Sequence, residues 1–95
     1  MSRLRTHIRA AVNAGRYSVG EHAAMRFEER AMIEWQIVAE VDHAKLLLER
    51  PDDHPYPAIE LEQMLPDGTP VKVIWSYNEK RDRAKLVTVH FFDDL

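Results

Sequence analysis

The chain has 95 residues, 45% hydrophobic and 31% charged, the balance of an ordinary soluble globular domain. It contains no cysteine, which excludes disulfide scaffolds, thiolate metal sites and cysteine nucleophiles. The net charge of −3 is uneven: residues 1–31 carry +3, residues 32–70 carry −7 and residues 71–95 carry +1. A nucleic-acid partner would therefore meet the N-terminal helices and the last hairpin rather than the whole surface. No apolar run approaches bilayer-spanning length. No apolar h-region follows the charged start Met1-Ser2-Arg3-Leu4-Arg5. These features predict one cytoplasmic domain over 1–95, with no contact to a membrane.

Residues 3–14 read as a helix with Leu4, Ile8, Ala11 and Val12 on one face, stopped by Gly15. Arg16-Tyr17 is a connection or a strand stub. Ser18 followed by Glu21 reads as a capping box, which predicts a second helix from about Ser18 to Arg30. His22, Arg26 and Arg30 recur every four residues along it. At roughly 100° per residue they span an arc of about 80°. Ala23, Ala24, Phe27 and Ala31 occupy the neighbouring arc, the natural core face. A third helix is predicted over 34–43, with Trp35, Ile37, Val38 and Val41 inward and a staple between Ile33 and Val38.

Strand patterning follows. Lys45-Leu46-Leu47-Leu48 is a short apolar run, and the three prolines between Pro51 and Pro57 demand a loop. Ile59, Leu61 and Leu65 then alternate with Glu60 and Glu62. Asp67-Gly68 is a hairpin turn signal. Val71, Val73, Trp75 and Tyr77 alternate with Lys72 and Ser76. After a polar turn, Val87, Val89 and Phe91 alternate with Leu86, Thr88, His90 and Phe92. Helices followed by an antiparallel meander make a two-layer α+β domain. The helical layer covers about 3–44 and the sheet about 45–92. One face of the last two strands should show Lys72, Ser76, Thr88 and His90.

At Ser18, His22-Ala23, Arg26 and Glu29-Arg30 the chain resembles the bacterial family known as domain of unknown function 4258. That family's pattern is a short strand or turn, then S-x-x-x-H-A-x-x-R-x-x-x-R, a helix, and strands ending in a T-V segment. Val71-Lys72-Val73-Ile74 and Leu86-Val87-Thr88-Val89-His90 correspond to the later parts, so the resemblance covers roughly residues 17–92. Families of this shape are grouped with the small barnase/EndoU/RelE-like ribonuclease fold. The resemblance implies N-terminal helices on a four-stranded antiparallel sheet. By analogy it also implies RNA cleavage as the toxin of a toxin–antitoxin pair. RNA and a cognate antitoxin protein are the partners so implied. The acidic balance departs from typical RelE-like toxins, which are strongly basic.

Metal-independent RNA cleavage needs a base for the 2′-hydroxyl proton, an acid for the leaving oxygen and cations for the developing charge. His22, Arg26 and His90 are the candidate catalytic residues, and Arg30, Lys72 and Thr88 the candidate phosphate-binding ones. The structural alternative is that His22 organises its helix while Arg26 and Arg30 pair with carboxylates, Glu29 among them. A non-catalytic interaction module of the same fold is the competing function. No metal or other cofactor is expected: there is no His-x-x-x-His pair, no phosphate-binding glycine loop, and Asp52-Asp53-His54 reads as a hydrated loop.

Overall fold

A computed structural model describes residues 3–30 and 34–92. The first element is helix α1 (Arg3–Asn13), which buries Ile8, Ala11 and Val12. It ends in a Schellman turn. The Gly15 amide donates to Val12 O at 3.0 Å and the Arg16 amide to Ala11 O at 2.8 Å. Gly15 has φ 78°, a left-handed conformation that a side chain would strain.

Strand β1 (Tyr17–Val19) follows, and helix α2 (Glu21–Glu29) begins directly after it. The capping box is therefore a misreading: Ser18 lies in β1, opposite Lys85, and Gly20 is the N-cap with no side-chain bond. The backbone of Ser18 is held in the strand ladder, so its hydroxyl cannot reach the helix start. Gly20 is needed there for space. Its amide bonds Leu86 O at 2.8 Å, and a Cβ at this position would stand 2.9 Å from that same oxygen.

The predicted helix over 34–43 is broken. Helix α3 covers only Glu34–Val38, and a 3-10 turn follows at Val41–His43. Ile37 and Val41 are buried as expected, but Trp35 is 58% exposed. Trp35 sits two residues before Ile37, roughly 200° around the helix, so the two cannot both face the core. The staple partner Ile33 and the core-face residue Ala31 lie outside the described residues. Asp42 ties the turn to α1, accepting from Arg9 Nε at 3.2 Å and Asn13 Nδ2 at 2.8 Å.

The remaining strands are β2 (Lys45–Arg50), β3 (Ala58–Met64), β4 (Pro70–Asn78) and β5 (Arg83–Phe91). They form the expected antiparallel meander, but the sheet is not the four-stranded antiparallel one. It has five strands in the order β1-β5-β4-β3-β2, and β1 pairs parallel to β5, so the sheet is mixed. A three-residue strand paired with a segment more than 60 residues away leaves no periodic trace in the sequence. The β3–β4 loop turns at Pro66-Asp67: Gly68 N donates to Leu65 O, and Gly68 takes φ 87°.

The phase of β5 also differs from its sequence pattern. Thr88 pairs with Ile74 and Leu86 with Trp75, which leaves Val87 unpaired as a β-bulge. Ala84 and Leu86 precede the bulge and Val89 follows it, yet all three are buried in one core. Leu86 therefore faces the helices instead of sharing a side with Thr88 and His90. Trp75, Ile59, Leu61, Val71 and Val73 complete the floor of that core under α1. The opposite face carries Lys72 across from His90, Ile74 across from Thr88 and Ser76 across from Lys85.

Candidate functional site

Helix α2 lies beside β5 where β1 has ended. Ala23 is fully buried and Phe27 packs against the core, as its side of the helix requires. The adjoining arc turns His22 and Arg26 over the edge of β5 toward the outer sheet face. There His22, Met25, Arg26, Glu29, Thr88 and His90 enclose a shallow depression of about 290 Å³. His22 on the helix and His90 on the sheet thus line one depression, with the Arg26 guanidinium beside His90.

Arg26 is the anchor of this arrangement, and its side chain is only 24% exposed. Its Nε donates to Val89 O at 3.2 Å, and Nη2 lies 3.4 Å from His90 Nδ1. Nη1 is 3.7 Å from the Glu29 carboxylate, one turn along the helix. A guanidinium can only donate, so Arg26 is the donor in any hydrogen bond of this contact.

Of the predicted residues, His22, Arg26, Thr88 and His90 line the same depression. Arg30 does not. It forms the C-cap of α2, and its guanidinium stacks 4.5 Å from the centre of the Phe91 ring. Phe91 packs against the core on the face opposite His90, so Arg30 is directed away from the two histidines. Lys72 stands across from His90 on β4, but its Nζ is 3.1 Å from Glu60 Oε1.

Glu60 is the functional-looking residue that alternation alone could not find. It faces away from the helices and is nevertheless only 7% exposed. Arg50 and Lys72 both pair with it. Burial works to raise its pKa, but the hydrogen bonds from Arg50 and Lys72 and their charges outweigh burial and hold the carboxyl below its ordinary range. The result is a charged band across the outer face, from Arg50 on β2 to Lys72 beside His90. Among the described residues, no group of three or more His, Asp or Glu side chains could hold a metal ion. No described helix is long and apolar enough to cross a membrane.

Residues 19–91 match the family described as Domain of unknown function (DUF4258). No curated protein and no solved structure matches the chain.

Proposed function

Because the chain belongs to the DUF4258 family, whose description assigns no activity, function must be read from the site, and we propose that it is a metal-independent endoribonuclease. The observation that carries this reading is the convergence of His22, Arg26, Thr88 and His90 around one open depression. The proposed substrate is single-stranded RNA with a phosphodiester seated between the two imidazoles. His22 takes the 2′-hydroxyl proton as the 2′-oxygen attacks phosphorus. His90, in contact with Arg26, lies against a non-bridging phosphoryl oxygen on the other side of the phosphodiester. Arg26 supplies the positive field under the developing charge, and Thr88 a hydroxyl donor beside it. The bond from phosphorus to the 5′-oxygen breaks, and that oxygen takes a proton from solvent, which the open depression admits. The products are a 2′,3′-cyclic phosphate and a 5′-hydroxyl. The helices stacked on the β2–β5 meander support a relation to the barnase/EndoU/RelE-like fold, and with it the role of a cytoplasmic toxin held by an antitoxin. Lys72 and Arg30 then act at longer range, as cations on either side of β5.

Purified protein should cleave RNA in the presence of EDTA and leave cyclic phosphate ends. His22→Ala and His90→Ala should each slow cleavage by about 10²–10⁴ while leaving the circular dichroism spectrum unchanged. Expression without a partner should arrest growth, and His22→Ala should relieve the arrest. Intact RNA and harmless expression of the unaltered chain would overturn the reading.

One observation favours the second reading, a non-catalytic interaction module. Arg26 is already engaged by Val89 O, His90 and Glu29, which is what a bracket between helix and sheet requires. In that reading the depression docks an acidic partner segment, and cleavage is absent from every preparation.

A further inference from the structure

A second depression of about 210 Å³ opens on the same outer sheet face, toward the other end of β5. It is lined by Ser18, Tyr56, Ser76, Asn78, Arg81 and Lys85 among others. Ser18, Lys85 and Ser76 form one register row across β1, β5 and β4, so their side chains share a face. Arg83 also borders it, but donates to Tyr17 O at 3.0 Å and serves the strand. No carboxylate is among the described residues that line this depression. Tyr56 is 42% exposed, and the Tyr77 amide fixes its loop by donating to Pro57 O at 3.0 Å.

We propose that this depression is a nucleotide subsite: Tyr56 stacks on a base, and Arg81 and Lys85 take a phosphate of single-stranded RNA. The chemistry is a π-face beside two cations, with the Ser18 and Ser76 hydroxyls and the Asn78 amide at hand for sugar or base edges. Every base presents a π-face, so such a platform binds single strands with little sequence demand. Position supports the same ligand. Lys85 and Thr88 lie opposite Ser76 and Ile74, two residues apart on β4. Lys85 and Thr88, which border the two depressions, are therefore about 7 Å apart along the strands, within the reach of adjoining nucleotides. This inference rests on the proposed RNA reading of the outer face and adds where the neighbouring nucleotide sits.

Binding of a fluorescein-labelled, fully 2′-O-methylated hexanucleotide tests it without requiring cleavage. Tyr56→Ala should weaken binding roughly tenfold or more, and Tyr56→Phe should restore it. Arg81→Gln with Lys85→Gln should also weaken it and reduce the salt slope by about 0.7, the share of one phosphate contact on a single strand. All three variants alter exposed side chains, so an unchanged melting temperature is expected. Tyr56-dependent binding together with intact natural RNA would refute the catalytic reading and leave the subsite standing. Binding that is indifferent to Tyr56, Arg81 and Lys85 would overturn the subsite. Tighter Tyr56-dependent capture of an acidic peptide than of the hexanucleotide would overturn it too, and assign the depression to a protein partner.

Discussion

Arg26 donates its Nε–H to the main-chain oxygen of Val89, at the point where β1 has ended and β5 would present an open edge. A strand edge with unpaired carbonyls invites pairing with another chain. Helix α2 covers this one, and Arg26 supplies the polar contact that an apolar helix face could not. The same guanidinium fixes the His90 ring. Arg26 is therefore structural and site-forming at once, and its removal should register in both ways. Arg26→Ala should lower stability by about 1–2 kcal/mol, as expected for a charge-assisted bond that keeps some contact with water. It should also broaden the His90 imidazole resonances in NMR spectra. An unchanged denaturation midpoint would show that the helix holds its place without the bond.

Gly20 makes a sharper test of how α2 is seated. Its φ of −72° suits any residue, so its requirement is for space alone. A methyl group there meets the backbone oxygen of Leu86, which cannot move without parting β1 from β5. Gly20→Ala should cost about 1–3 kcal/mol, the range for overpacking. Substitution at an exposed α2 position such as Ala24→Ser should cost far less. Equal denaturation midpoints for the two variants would refute the close approach.

The elements with long, single-period patterns were legible in the sequence. The Leu4–Ile8–Ala11–Val12 stripe and Gly15 marked α1, and alternation marked β3 and β4. What escaped were features that local pattern does not encode. Strand β1 has three residues and gains its meaning only from Ala84, Lys85 and Leu86. Ser18 looked like a cap because a capping box is a local rule, and the distant ladder overrode it. In the site, the spacing of His22 and Arg26 located one wall and the Thr88–His90 alternation the other. The direction of Arg30 depended on Phe91, and the burial of Glu60 on Arg50 ten residues before it. Tyr56 joined Lys85 only through the return of the loop onto β4.

The bulge at Val87 has a direct mutational signature. Strict alternation would make Val87 a core residue and Leu86 a surface one. In the structure Leu86 is fully buried and Val87 is half-buried and unpaired. Leu86→Ala should therefore cost about 2–5 kcal/mol, the range for truncating a buried leucine. Val87→Ala should cost less than half as much. Urea denaturation of the two variants decides the matter, and the reverse order would restore the unbulged register.

Stability should fall at both ends of the pH range, for reasons that lie in named pairs. On the acid side, Glu60 and Asp82 have folded pKa values below their ordinary ones. For Glu60, burial opposes the shift, and the bonds from Arg50 and Lys72 win. For Asp82, the leading cause is the bond accepted from Tyr77. A carboxyl with a lowered folded pKa contributes stability above its ordinary value, about 3.8 for Asp82 and 4.5 for Glu60, and that contribution is lost as the pH falls below it. On the alkaline side, the Tyr77 hydroxyl donates to Asp82 Oδ1 at 2.5 Å, and this bond, followed by burial, pushes its pKa up to about 12. Tyr17 is raised too, chiefly by its bond to Glu34. A group with a raised folded pKa contributes fully below its unfolded value of 10.0 and loses that contribution as the pH rises toward 12. The urea midpoint should therefore fall below about pH 4.5 and fall again between about pH 10 and pH 12. Tyr77→Phe should flatten much of the alkaline limb, since phenylalanine has no proton to lose. Glu60→Gln should lower stability at neutral pH, because Arg50 and Lys72 lose their shared counter-charge, and should leave a shallower acid limb. An alkaline limb of unchanged depth in Tyr77→Phe would show that the Tyr77–Asp82 bond does not govern it.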